Sequence, residues 1–339
     1  MSARRAAGVW IALALVGFVV FAAALALGSV AISPWQAVLA LVHGPSHVVG
    51  IGQPGDVAGE IVRTLRLPRA LAGFSCGALL ALAGALLQVL LRNPLAEPYV
   101  LGVSGGAAAF AVAALFFGCA WWLVDLASFG GALLSIALVL GLARREFRRG
   151  ERQEASPRLL LTGVVVATGW GALITLIIAL APDDRLRGIV FWLTGDLNGA
   201  GNPWPALAAL AIALAASVPV APQLNVLLRG DALASSLGVP AARLRLRIYI
   251  VASLAAAASV TTAGTIGFVG LVVPHALRLV LGNDQRMLVP ASALAGGIAV
   301  MSADLVARTA IAPAQLPVGV VTALVGVPVF LWMLLRSRR

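Results

Sequence analysis

Lysine is absent from this chain of 339 residues, and all 24 basic side chains are arginine. A phosphate-binding loop built on lysine, a Schiff-base lysine and a lysine general base are thereby excluded. If the chain depends on ATP, another polypeptide hydrolyses it. Charge of either sign is scarce, at 11% of residues, against about a quarter in an ordinary soluble domain. Cysteine is limited to Cys76 and Cys119, both within apolar runs and without Cys or His at metal-ligand spacing. Two inert thiols are the expectation, and no metal site.

What the sequence has instead is apolar surface: 61% of its residues are hydrophobic and the mean hydropathy is +1.00. That excludes a soluble globular domain. The net charge of +11, which in a soluble chain would point to nucleic acid, has a different origin in a membrane protein. About 20 apolar residues cross the hydrocarbon, and the uncharged intervals convert to ten spans, at 8–32, 68–91, 99–117, 119–143, 159–181, 203–222, 246–262, 266–282, 288–311 and 316–335. The first is longer than the apolar part of a secretory signal and reads as an uncleaved span. The seventh and eighth share one apolar stretch, divided at Thr261–Gly267 by its glycines; a nine-span path is the alternative.

Ten spans put both termini on one side, and both are arginine-rich: Arg4 and Arg5; Arg336, Arg338 and Arg339. The positive-inside rule places them in the cytoplasm, with Arg144, Arg145, Arg148, Arg149, Arg152 and Arg158 between spans four and five. The expected fold is an all-α polytopic membrane protein forming one transmembrane domain; ten spans allow two five-helix halves in inverted relation, and a chance echo between the halves is the alternative. Six arginines fall outside: Arg63, Arg66, Arg69, Arg185, Arg187 and Arg308. They run against the insertion bias and require a reason. Asp304 lies four residues before Arg308, the spacing of an intrahelical pair.

Other segments depart from what lipid-facing helices need. The apolar piece 188–195, after Pro182-Asp183-Asp184-Arg185, is too short to cross and reads as an outer re-entrant or interfacial helix, either part of an outer gate or a segment anchored by Trp192 and Trp204 in the aromatic belt. Residues 229–245 form a cytoplasmic region. In it, Asp231 to Leu237 reads as a short amphipathic helix with Ala232, Leu233 and Leu237 on one face and a Gly238-Val239-Pro240 stop. The link 92–98 carries two prolines that end one helix and start the next.

Five words, in order along the chain, are Leu65-Arg66-Leu67-Pro68-Arg69, Asn93-Pro94-Leu95-Ala96-Glu97-Pro98, Leu101-Gly102-Val103-Ser104, Gly267-Phe268-Val269-Gly270-Leu271-Val272-Val273-Pro274-His275 and Leu316-Pro317-Val318-Gly319. At these residues the chain resembles the FecCD-like permeases of type II ABC importers, which carry cobalamin, haem and ferric siderophores. The resemblance implies a bacterial inner-membrane permease, itself no enzyme, that moves a large metal chelate from periplasm to cytoplasm by alternating access. Its implied partners are a second permease subunit, most simply a second copy, two cytoplasmic ATPase subunits that hold ATP and magnesium, and a periplasmic binding protein. No cofactor or metal is expected in this chain.

By the same resemblance, Arg66, Arg69 and Arg308 stand where relatives meet glutamates of the binding protein. Asp231, Ala232, Leu233, Ser235, Leu237, Gly238 and Arg243 match the region that couples to the ATPase. Asn93 and Leu95 match the cytoplasmic gate, and Ser156 lies near its second constriction, with Pro157 as a departure from the family pattern. His275 reads as part of a shared word rather than a haem ligand, and His43 and His47 as loop residues. The reading from another class is a secondary transporter driven by protons or sodium, which needs ionisable residues at the membrane midplane.

Overall fold

The computed structural model describes residues 3–28, 32–42, 54–143 and 155–337. Among them every regular element is helical. Helix α1 is Ala3–Ala26, α2 Pro34–Val42 and α3 Pro54–Glu60. A π-helical turn, Ile61–Arg66, leads into α4, Leu67–Leu90. A single 3-10 turn, Pro98–Leu101, precedes α5, Val103–Phe116, and α6, Trp121–Leu142. Then come α7, Ala155–Leu180, α8, Asp183–Leu193, α9, Trp204–Ser217, α10, Ala221–Leu227, and α11, Asp231–Ser236. The last four are α12, Ala241–Ala263, α13, Val269–Leu281, α14, Gln285–Thr309, and α15, Val318–Ser337.

Among the described residues, eight helices are long and apolar enough to cross a bilayer, and α5 and α13 are shorter apolar helices. The two short ones are where the sequence reading overran. At 1.5 Å per residue each is roughly 20 Å long, short of the ~30 Å hydrocarbon. The residue before each helix sets the limit, because Gly102 (φ +75°) and Phe268 (φ +69°) are both left-handed and interrupt the helical ladder. The same anatomy therefore occurs at the third and eighth apolar segments, the two that correspond in a five-plus-five arrangement.

The path of the chain also decides between ten and nine crossings. If 241–281 were one crossing, the two ends of α14 would exchange sides. Instead, Asn225, beyond the end of α9, bonds Asp284 and the Gln285 N–H at the start of α14, each at 2.8 Å. At its other end Arg308 donates to Ala24 O at 2.5 Å, near the end of α1. The reversal at 264–268 makes both contacts possible.

Helix α4 is the axis of the molecule. In the most apolar window of its helix 89% of residues are buried, against 6% in α7. It lies against α14, α12 and α13, and glycine permits the close approach: a Cβ on Gly77 would fall 2.1 Å from Gly296 O, and one on Gly84 1.8 Å from Gly270 O. Lipid gives little hydrophobic drive for helix association, so close backbone contact through small residues does much of the packing.

Two further differences concern the outer regions. The link read as a loop between the first two spans contains α2 and α3, and α3 continues through the π-turn into α4. Trp192 is buried beneath α8 at 8% exposure rather than lying in an aromatic belt, whereas Trp204 is 70% exposed. Cys76 is buried and Cys119 half-buried, both free thiols. His43, His47, Arg144, Arg145, Arg148, Arg149, Arg152, Arg338 and Arg339 lie outside the described residues, as do the side chains of Arg4, Arg5, Arg158 and Arg336.

Candidate functional site

Three places in the fold collect the residues singled out by sequence. At the first, the ends of α1 and α14 meet the start of α4. The last carbonyls of a helix have no partner within it. Arg66 fills that vacancy on α1, Nη1 donating to Leu25 O at 2.8 Å and Ala26 O at 2.7 Å, while Arg308 takes Ala24 O. A cation at a helix C-terminus is also favoured by the helix dipole. Both side chains are consequently buried.

Asp304 forms the i,i+4 pair with Arg308 that the spacing predicts, at 3.7 Å. Its principal partner is Arg69, whose Nη2 and Nε donate to Oδ1 at 2.7 and 2.9 Å. Arg69 Nη1 also donates to Asn198 and Gln315, each at 2.8 Å. A carboxylate with a side chain only 3% exposed needs such a partner, since an unpaired buried charge is strongly destabilising. Arg66, Arg69 and Arg308 thus all lie where the ends of α1 and α14 meet the start of α4. Their guanidinium groups are already engaged within the chain.

At the second place, the link after α4 turns into the protein and meets the break before α13. Glu97 Oε1 accepts the Phe268 N–H at 2.9 Å. Tyr99 OH donates to Ile266 O and accepts from Ile266 N, each at 2.9 Å. Irregular backbone inside a membrane protein persists where such groups satisfy it. Burial raises the Glu97 carboxyl above its ordinary range, with the Phe268 backbone bond pulling the other way. Sequence reading passed over Glu97 and Tyr99 as functional residues, although both lie in or beside a word that carried the resemblance.

The third place is the opposite end from Arg66. Asn93 and Leu95 are exposed there, with the Leu95 N–H bonded to Asn93 Oδ1 at 2.9 Å in a side-chain-closed turn. Helix α11 runs as the sequence reading expects. Its end is closed by Val239 N to Ala234 O at 2.8 Å and Gly238 N to Ser235 O at 3.0 Å, with Gly238 left-handed, a Schellman arrangement. Ala234 is buried against the protein, while Ala232, Leu233, Ser235, Leu237 and Arg243 are exposed. Leu233 and Leu237 therefore point away from the chain's own core. Asp231, at the start of α11, is paired with both Arg92 and Arg245. Ser156 stands in the first turn of α7, with its side chain outside the described residues.

At the end that carries Arg69, α8 covers the end of α12. Ile189 and Trp192 form its buried face, and the Thr265 hydroxyl donates to Leu193 O. An open cavity of about 860 Å³ lies beside it, lined by Trp121, Asp125, Arg187, Phe191, Asp196 and Thr262 among others. Asp196 is raised above the usual carboxylate range by burial, with the Asn198 N–H and Arg69 opposing.

The model of the FecCD transport family matches residues 14–336. A vitamin B12 import system permease protein, BtuC, of Salmonella paratyphi A is 41% identical over 295 residues, spanning 84% of this chain and 88% of its own. The BtuC of Citrobacter koseri is 40% identical over 311 residues, spanning 89% and 91%. Among solved structures, a metal-chelate type ABC transporter in an inward-facing conformation matches with a TM-score of 0.82 at 27% identity, over 96% of this chain and 98% of that one. PsaBC from Streptococcus pneumoniae in complex with Fab has a TM-score of 0.57 at 16% identity, over 80% and 92%, and is alike in fold alone.

Proposed function

This chain belongs to the FecCD transport family, and from that premise we propose that it moves cobalamin from periplasm to cytoplasm. It is a multi-pass inner-membrane protein and a permease of the type II ABC importer family. The observation that carries the substrate is the 41% identity to vitamin B12 permeases over most of both chains. Ferric siderophores and haem are the other large chelates of the same class.

The chain's own features support the roles of its parts. A permease that lacks lysine draws its work from a separate ATPase, to which α11 presents Leu233, Leu237 and Arg243. The small exposed helix acts as the coupling element, and Asn93, Leu95 and Ser156 stand at the exit of the pathway. A second copy of this chain would cover part of α7, whose sides are left open. For the binding protein, Arg66, Arg69 and Arg308 act through field rather than through free guanidinium groups. Arg69 and Arg308 flank Asp304, Arg66 stands near Arg308 and Asp196 near Arg69, so three cations outnumber two carboxylates and leave that end net positive, which steers an acidic partner. A secondary transporter is disfavoured by Asp304, which is already held by Arg69.

The test is reconstitution in liposomes with the cognate ATPase and binding protein. ATP-dependent cyanocobalamin uptake is the expected result. Uptake of a ferric siderophore or haem with cyanocobalamin excluded would overturn the substrate. Uptake driven by an ion gradient without ATP would overturn the importer class.

A further inference from the structure

Arg92 follows the last turn of α4 and adopts φ +47°, an uncommon conformation for a residue with a side chain. That turn sends its guanidinium group across to α10 and α11. Nη2 donates to Leu227 O at 3.2 Å and to Asp231 Oδ1. The other carboxylate oxygen, Oδ2, accepts from Arg245 Nη2 in α12. One carboxylate thus joins three elements that are distant in sequence, with Arg92 and Asp231 separated by 139 residues.

The two ion pairs differ in setting. The Arg245 side chain is 12% exposed and that of Arg92 39% exposed. The first therefore anchors α11 to a membrane helix, and the second reaches a surface loop. Beyond Arg92 the loop is short and stiff. Asn93 closes its turn on Leu95, the Ala96 N–H donates to Asn93 O at 3.1 Å, and Glu97 is fixed to Phe268. Four residues, 93–96, lie between Arg92 in the ion pair and Glu97, which is bonded to Phe268 at the start of α13.

We propose that Asp231 is a charge latch through which a displacement of α11 is passed by Arg92 to the 92–98 loop and onward to the junction of α5 and α13. Arg92, Asp231 and Arg245 are positioning residues: they touch no substrate and set where the loop stands when α11 moves. The existence of the latch is independent of the importer reading, whereas its use in transport rests on it. Breaking the Arg92 bond would leave α11 attached to α12 and uncouple only the loop.

Two measurements test this. In the purified permease carrying C119A, a spin label on L95C reports loop mobility. R92Q and D231N should mobilise it, and R92K should retain the immobile spectrum. In the reconstituted complex, R92Q should keep ATP hydrolysis near the wild-type rate while cyanocobalamin moved per ATP falls about fivefold, within the range seen for mutations between coupled sites; R92K should restore it. An unchanged label spectrum in R92Q overturns the latch. Raised mobility with unchanged transport per ATP overturns its role in transmission. If the wild-type complex hydrolyses no ATP, the importer reading fails and the label still decides whether the latch exists.

Discussion

Glu97 and Phe268 are joined by a 2.9 Å hydrogen bond, carboxylate to backbone N–H, across 171 residues of sequence. The bond satisfies the donor of a left-handed residue at the start of α13 and fixes the link after α4 to the break after α12. The link that leads into α5 is thereby held at the start of α13. Tyr99 and Ile266 repeat the connection beside it.

Because burial raises the Glu97 carboxyl above 4.5, the folded chain binds a proton there more tightly than the unfolded chain. Stability contributed by this group is full below the unfolded value and is lost as pH rises from 4.5 through the raised folded value. E97Q keeps an oxygen acceptor for Phe268 and removes the titration, so its thermal stability in detergent should be flatter over that window than the wild type. E97A, which leaves the Phe268 N–H without its acceptor, should be destabilised by about 1–3 kcal/mol.

Asp304 and Arg69 form a nearly buried ion pair. Removing either partner alone should destabilise the protein by about 3–5 kcal/mol, read as a loss of folded permease on heating in detergent. R66E should also release α1, because Arg66 holds Leu25 O and Ala26 O. Weakened binding-protein association in R66E would therefore accompany a lower melting temperature. Weakened association at an unchanged melting temperature would show that Arg66 is free to meet the partner.

Helix α4 should tolerate no side chain at Gly84. A Cβ there would lie 1.8 Å from Gly270 O, with backbone on both sides, so neither neighbour can rotate away. G84A is expected to cost about 3 kcal/mol or more by overpacking. G130A, on α6, where nothing lies within 4 Å, should be close to neutral, and the two melting curves give the comparison.

Leu233 and Leu237 are 40% and 62% exposed, so L233Q and L237Q should leave the permease fold intact. If they pack into the ATPase, the double variant should weaken association with it at least about tenfold, equivalent to ~1.4 kcal/mol. Affinity measured between detergent-purified permease and ATPase checks this. An unchanged affinity would move the coupling contact elsewhere.

Much of this architecture is legible in the chain because its signals are local. Apolar runs mark the crossings, Gly238 stops α11, and the prolines at 94 and 98 end one helix and introduce another. Where the reading overran, at 99–117 and 266–282, hydropathy was uninformative: buried irregular backbone is as apolar in composition as a helix. The left-handed turns at Gly102 and Phe268 leave no trace in hydropathy. Trp192 was misplaced for a related reason, since an interfacial tryptophan and a buried one have the same neighbours in sequence.

The sequence by itself determined that the protein lives in a membrane, and its lack of lysine excluded a lysine-based phosphate loop within this chain. Spacing also proposed Arg308 as the partner of Asp304, four residues away. Tertiary structure kept that pair at 3.7 Å and added Arg69, 235 residues distant, as the hydrogen-bonded partner, and likewise joined Arg92 to Asp231 and Glu97 to Phe268. The reason is physical. Burial of an apolar segment depends on its own composition, whereas a buried charge or an open backbone donor takes whichever partner the packed helices bring within about 3 Å.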